Sequence, residues 1–125
     1  MPTSDASAGV VLDVDYRAGC FELVLVNSGA ETAREVAVKF SKKLVGVGGG
    51  VVVSELAVWT GLGTMRPGKE IRVFYDTAPN VFHRRGKNDF TATVTWTTAE
   101  GDHKAAYRHD LDVYRDMPEV VPDRR

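Results

Sequence analysis

The amino-acid sequence predicts an all-β protein, an antiparallel β-sandwich of about seven strands. Three observations carry that prediction. Valine (19), threonine (10) and isoleucine (1) supply 30 of the 125 residues, a β-branched share that suits pleated, half-buried surfaces. The apolar period along the chain is two, not 3.6. Turn-forming residues recur at roughly 8–12-residue spacing, as in sandwich folds.

Each predicted element follows from alternation bounded by turn chemistry. Val10–Tyr16 sets Val10, Leu12 and Val14 against Val11, Asp13 and Asp15. Cys20–Asn27 places Phe21, Leu23 and Leu25 on one face. Arg34–Ser41 turns Val36, Val38 and Phe40 inward and Glu35, Lys39 and Ser41 outward. Val51–Val58 is a weaker strand with no assignable face. Glu70–Asp76 carries Ile71, Val73 and Tyr75 against Arg72, Phe74 and Asp76. Phe90–Thr97 alternates Phe90, Ala92, Val94 and Trp96 with four threonines, a separation that only a strand produces. His103–Tyr114 is read as one long strand with Tyr107, Leu111 and Val113 inside. The predicted core is Leu12, Val14, Phe21, Leu23, Leu25, Val36, Val38, Phe40, Ile71, Val73, Val94, Trp96, Leu111 and Val113.

The connections have their own signals. Asn27-Ser28-Gly29 supplies a positive-φ turn. Gly46–Gly50 is a flexible link. Pro67-Gly68 fits the centre of a type II turn. Ala99–Asp102 closes a hairpin. Thr77–Asp89 is the longest loop, and no helix is expected. Residues 1–9 and 116–125 read as flexible tails around one domain at 10–115.

Composition excludes several classes of protein. Sixteen basic against seventeen acidic residues give a net charge of −1, which argues against a strongly basic nucleic-acid binder. A single cysteine, Cys20, permits no internal disulfide and no cysteine-built zinc site. No apolar run approaches the ~20 residues of a membrane-spanning helix. Met1–Ser7 has neither the basic nor the apolar region of a signal peptide. As written the chain reads as cytoplasmic, or as extracellular if it is a domain excised from a longer protein.

The run Phe21-Glu22-Leu23-Val24-Leu25-Val26-Asn27-Ser28-Gly29, then Ala33 and Val36-Ala37-Val38, resembles the opening of bacterial immunoglobulin-like domains of the CARDB type (cell-adhesion-related domain of bacteria). Leu62–Ile71, with its Pro67-Gly68, is similar to the approach to their fifth strand, and Phe90–Thr97 with His103–Val113 to their closing hairpin. The resemblance covers about residues 10–114. It implies an immunoglobulin-like sandwich used as a spacer, adhesion or binding module, with no shared catalytic residues to transfer.

Candidate chemistry is sparse. Asp13/Asp15 and Asp110/Asp112 each put two carboxylates on one strand face, but a calcium site gathers six to eight oxygens, and no metal or cofactor is expected. His103 and His109 lie about 20 Å apart along one strand at ~3.3 Å per residue, too far to share a metal. His109 falls on the inner face and reads as a hydrogen-bonded structural histidine. Gly46–Gly50 lacks the Lys-Ser/Thr ending of a phosphate loop. The nucleophile motif Gly-x-Ser-x-Gly is absent, so no enzyme is expected.

Two surfaces remain. Val24, Val26 and Phe74 have the wrong parity for the core, and together would form an exposed apolar patch of the kind that binds partners. His83, Arg84, Arg85 and Lys87 form a basic loop between Phe82 and Phe90, a candidate anion-binding site. Lys39, Lys42 and Lys43 put further positive charge elsewhere. The expected function is therefore a non-catalytic interaction or structural module that binds a protein partner or itself through a sheet face or loops. Alternatives are a decoration subunit of a larger assembly, such as a phage particle, and a nucleic-acid or anion binder using the basic loop.

Overall fold

The computed structural model describes residues 9–84 and 86–117. Nine strands run in the order β1 (Val10–Arg17), β2 (Cys20–Asn27), β3 (Ala33–Phe40), β4 (Val45–Gly46), β5 (Val51–Val52), β6 (Gly63–Met65), β7 (Glu70–Thr77), β8 (Asp89–Thr98) and β9 (Gly101–Asp110). Two short helices, α1 (Val58–Gly61) and α2 (Ala78–Phe82), interrupt them. One sheet has the order β1-β2-β7 and the other β6-β3-β8-β9, while β4 and β5 pair with each other. All strand pairs are antiparallel. The chain is thus an all-β antiparallel sandwich. Among the described residues no helix is long and apolar enough to cross a membrane.

The core lies between the two large sheets. Leu12, Phe21, Leu23 and Leu25 from one sheet and Val36, Val38, Ala92, Val94 and Trp96 from the other are buried, as their alternation requires. Pro67-Gly68 forms the expected turn, with Lys69 N donating to Arg66 O at 2.9 Å and Gly68 at φ +85°. The turn at Asn27-Ser28-Gly29 contains no positive-φ residue, contrary to expectation, and Asn27 does more than turn the chain. It is wholly buried, its Nδ2 donating to the Met65 and Glu31 carbonyls at 2.8 and 2.9 Å, so it joins the end of β2 to β6.

The open edges of β1 and β9 meet through side chains. Tyr107 Oη donates to Val10 O at 3.1 Å. His109 Nε2, which carries a proton to donate, lies 2.8 Å from Leu12 O. His109 is therefore the structural histidine its parity suggests.

Several expectations need correction. Val51–Val58 is not a strand. After two residues of β5 it tightens into a 3₁₀ turn at Val53–Glu55 and enters α1. Trp59 of α1 is 1 % exposed and seals the flank of the core edge-on to Phe40, with ring centroids 5.2 Å apart. The loop after β7 begins with α2, where Pro79 sits in the first turn, a position that tolerates its missing N–H. The last strand ends at Asp110, whose carboxylate accepts the Asp112 amide at 3.0 Å and turns the chain into a 3₁₀ turn at Leu111–Tyr114. That turn breaks the alternation, so Leu111 is buried while Val113 is 66 % exposed and outside the core. Phe40, Ile71 and Val73 are only partly buried against the core. Gly9, read as tail, is buried, and its carbonyl accepts from Ser28 N at 2.8 Å. The rest of the two tails, beyond Asp116 and Met117, lies outside the described residues.

Candidate functional site

The site is built on an irregularity in β7. Leu23 pairs with Val73 and Glu22 with Phe74, but Phe21 pairs with Asp76, which leaves Tyr75 as an extra residue. Such a bulge puts two consecutive residues on one side of the sheet. Tyr75 and Asp76 both turn inward, at 4 % and 1 % exposure. Simple alternation places Asp76 outside, and the bulge overturns that placement.

A buried carboxylate needs partners. Asp76 accepts from Asn80 Nδ2 (2.8 Å), from the Thr77 amide (2.8 Å) and from the Gly48 amide (3.2 Å), and it forms an ion pair with Arg84. Burial opposes its ionisation and is the largest single influence. The four partners together outweigh burial and hold the carboxyl below its ordinary range. Arg84 also donates to Tyr75 Oη at 2.9 Å and lies 5.4 Å from the Tyr75 ring centroid. Burial raises the Tyr75 phenol, and Arg84 offsets part of that rise.

This cluster fixes the surrounding loops. The link at 46–50 is pinned to Asp76 through Gly48 rather than left loose. Gly46 is required by close approach, because a Cβ there would lie 2.1 Å from the Tyr75 carbonyl oxygen. On the other side, Asn88 Nδ2 donates to Asp112 Oδ1 at 2.9 Å and to Val81 O at 3.2 Å. Arg115 binds Asp112 at 2.7 Å and donates to Phe82 O at 3.0 Å. The Asn88 hydrogen bond, then the Arg115 charge, lower the Asp112 carboxyl. Asp110 and Asp112 are thus occupied in capping and bracing, not paired on one strand face.

Between these braces lies a surface pocket of about 240 Å³ lined by ten residues. Lys42 and Lys43 come from the exit of β3, and Arg84 and Lys87 from the segment between α2 and β8. Tyr75 and Asn88 complete the polar wall, and Leu44, Val45, Phe90 and Leu111 the apolar part. Among the described residues no acidic side chain lines it. Lys42 Nζ donates to Lys87 O at 3.0 Å, which fastens the two basic segments to each other.

The structure brings only part of the predicted basic loop to this pocket. Arg84 lines the pocket, with its guanidinium held by Asp76 and Tyr75. Lys87 is exposed at the pocket. His83 is exposed and does not line it. Arg85 lies outside the described residues. Lys42 and Lys43, assigned by the sequence to charge elsewhere, are brought to the same pocket. Only the close pairing of Lys42 and Lys43 at a strand end hinted at this.

The apolar patch does not form as expected. Val24, Val26 and Phe74 share the outer face of β1-β2-β7, but Val24 is only 5 % exposed. Arg72, paired in register with Val24, reaches Asp15 at 2.6 Å, Glu22 at 2.7 Å and Glu70 at 3.1 Å. This ionic lattice crosses the strip and leaves Phe74, 42 % exposed, by itself. Val24→Glu is thus expected to destabilise the fold by about 2 kcal/mol by burying a charge. Phe74→Ser stays within about 0.5 kcal/mol of wild type. Urea denaturation of both variants checks this, and equal stabilities would restore an accessible Val24.

Among the described residues, no group of three or more histidine, cysteine or carboxylate side chains gathers as metal ligands. No curated protein and no solved structure matches the chain. A family match covers residues 3–115, which include every strand described above, and on that match the chain belongs to the family described as a domain of unknown function, DUF8453.

Proposed function

We propose that this domain is a non-catalytic binding module of immunoglobulin-like type that engages a protein partner through the loop end bearing the basic pocket. The carrying observation is the convergence of Lys42, Lys43, Arg84 and Lys87 around an apolar wall, with no carboxylate lining it among the described residues. A partner surface with acidic and apolar groups complements it, and charged patches of this kind steer encounter and specify partners. The strand order β1-β2-β7 against β6-β3-β8-β9 supports the immunoglobulin-like reading. Asp76 supports a non-catalytic role. Its oxygens are engaged by Asn80, Arg84 and two backbone amides, so it serves as an internal brace rather than a base.

The test uses immobilised wild-type protein and the double variant Lys43→Glu/Lys87→Glu against an extract of the source cells. A control, Glu100→Lys, alters the β8–β9 turn at the opposite end of the sandwich. The reading expects a partner retained by wild type and control and lost by the double variant. The same set of proteins retained by all three would overturn it.

A further inference from the structure

We infer that the pocket takes a doubly charged anionic group carried on an apolar or aromatic body, either a phosphate monoester or two adjacent carboxylates. The inference rests on the partner-binding reading and specifies the chemistry that the partner presents.

The charge count sets the first requirement. The positive charge of Arg84 is matched by Asp76, which lies behind it and is 1 % exposed. The three lysines are left with weak counter-charges. Lys42 is 3.6 Å from Asp89, which is itself bound to Arg108 at 2.8 Å, and Lys43 is 3.9 Å from Glu55. Both are long, exposed pairs, which add little and give way to a better-placed anion. No ion pair is found for Lys87 among the described residues. A dianion meets this surplus better than a monoanion. Lysines offer mobile point charges rather than a planar fork, and so accept a tetrahedral phosphate or splayed carboxylates equally.

The apolar wall sets the second requirement. Leu44, Phe90 and Leu111 are buried in the core and turn only an edge to the pocket. A bare inorganic ion leaves that edge wet, whereas an aromatic or branched carrier covers it.

Volume sets the third requirement. About 240 Å³ falls below the ~300–1,000 Å³ of sites that enclose drug-sized ligands. It fits one modified or acidic side chain rather than a nucleotide. The guanidinium of Arg84 supplies a fixed point, since Asp76 and Tyr75 hold it before any ligand arrives.

The experiment titrates the full chain with four probes and follows backbone amide resonances: phenyl phosphate, phenylmalonate, inorganic phosphate and the monoanion phenylacetate. Saturable shifts are expected at residues 42–45 and 84–90 with phenyl phosphate, phenylmalonate or both, and which of the two binds names the source. Covering the apolar wall is expected to make the better aromatic dianion bind about tenfold tighter than inorganic phosphate. The same margin is expected over phenylacetate, from the second charge. Lys43→Glu/Lys87→Glu should weaken binding at least tenfold at an unchanged melting temperature, because both side chains are exposed.

Inorganic phosphate binding as tightly as phenyl phosphate, or an unaffected double variant, would overturn the inference. So would a single-stranded oligothymidylate that binds where neither aromatic dianion does, which would point to a nucleic-acid strand. If the dianions fail while the captured partner is still lost by the double variant, the dianion chemistry falls and the partner-binding reading stands. If both fail, both readings fall.

Discussion

Replacing Asp76 with alanine is expected to lower stability by about 3 kcal/mol, the scale for breaking a buried ion pair from one side. For a domain of this size that corresponds to a fall in Tm of about 10 °C. The loss is large because one carboxylate serves four donors. Without it Asn80 and the Gly48 and Thr77 amides lose their acceptor, and Arg84 keeps only Tyr75 Oη. Asp76→Asn keeps the shape but not the charge, and is expected to recover only part of the loss. The effect depends on pH in a defined direction. The native carboxyl is held below its ordinary value, which is about 4 in an unfolded chain. Its contribution is therefore complete above that value and fades as pH falls through the lower native one. Urea denaturation of wild type and Asp76→Ala at pH 7 and at successively lower pH measures this. The gap between the two proteins should be widest at pH 7 and close in acid. A gap that stayed constant would show that the loss is steric rather than electrostatic.

Trp59→Ala is expected to cost about 4 kcal/mol, or about 15 °C in Tm. Helix α1 has four residues, too few to persist without tertiary contacts. Trp59 is the one buried residue of that helix. Its Nε1 donates to Val53 O at 2.7 Å, and its ring seals the flank beside Phe40. Truncation empties that volume and leaves the Val53 carbonyl only the long 3.4 Å hydrogen bond from the Leu56 amide. Trp59→Phe keeps apolar bulk but not the donor, and should cost roughly half as much. Chemical denaturation of both variants gives the ordering. Equal losses would mean that the retained ring adds nothing, and a Trp59→Phe variant as stable as wild type would mean that the hydrogen bond adds nothing.

The strands that local alternation specifies completely were legible in the sequence. Phe90–Thr97 states both of its faces in its residues, and Pro67-Gly68 names its turn. What could not be read depends on pairing. The bulge at Tyr75 exists because β2 and β7 slip by one residue, and no local pattern in Glu70–Thr77 announces it. That slip moves Asp76 from the surface to the centre of the site. Val24 has the outward parity expected of it, yet it is buried, with Arg72, 48 positions later, beside it in register. Lys42 and Lys43 meet Arg84 and Lys87 only because the β3 exit and the segment after α2 open at the same end of the sandwich. Val113 leaves the core for a local reason: Asp110 caps the turn that ends the alternation. An Asp-x-Asp reads equally well as a strand face or as a cap.

The lacing of β1 to β9 constrains how the protein is made. The two contacts, Tyr107 to Val10 and His109 to Leu12, each join residues 97 positions apart. During synthesis β1 emerges before the rest of the sandwich, pairs with β2, and then waits with its outer carbonyls open until β9 follows. Its other edge is covered only when β9 is released. Closing a loop of that length is entropically costly, and contacts of such long range place folding in the slow, millisecond-to-second regime of β-sandwiches. A chain stalled before β9 leaves the edges of β1 and β8 uncovered, and either is a template for pairing with another chain. Tyr107 and His109 therefore act as the closing latch of biosynthesis, and the interval before they engage is when the protein is most exposed to aggregation.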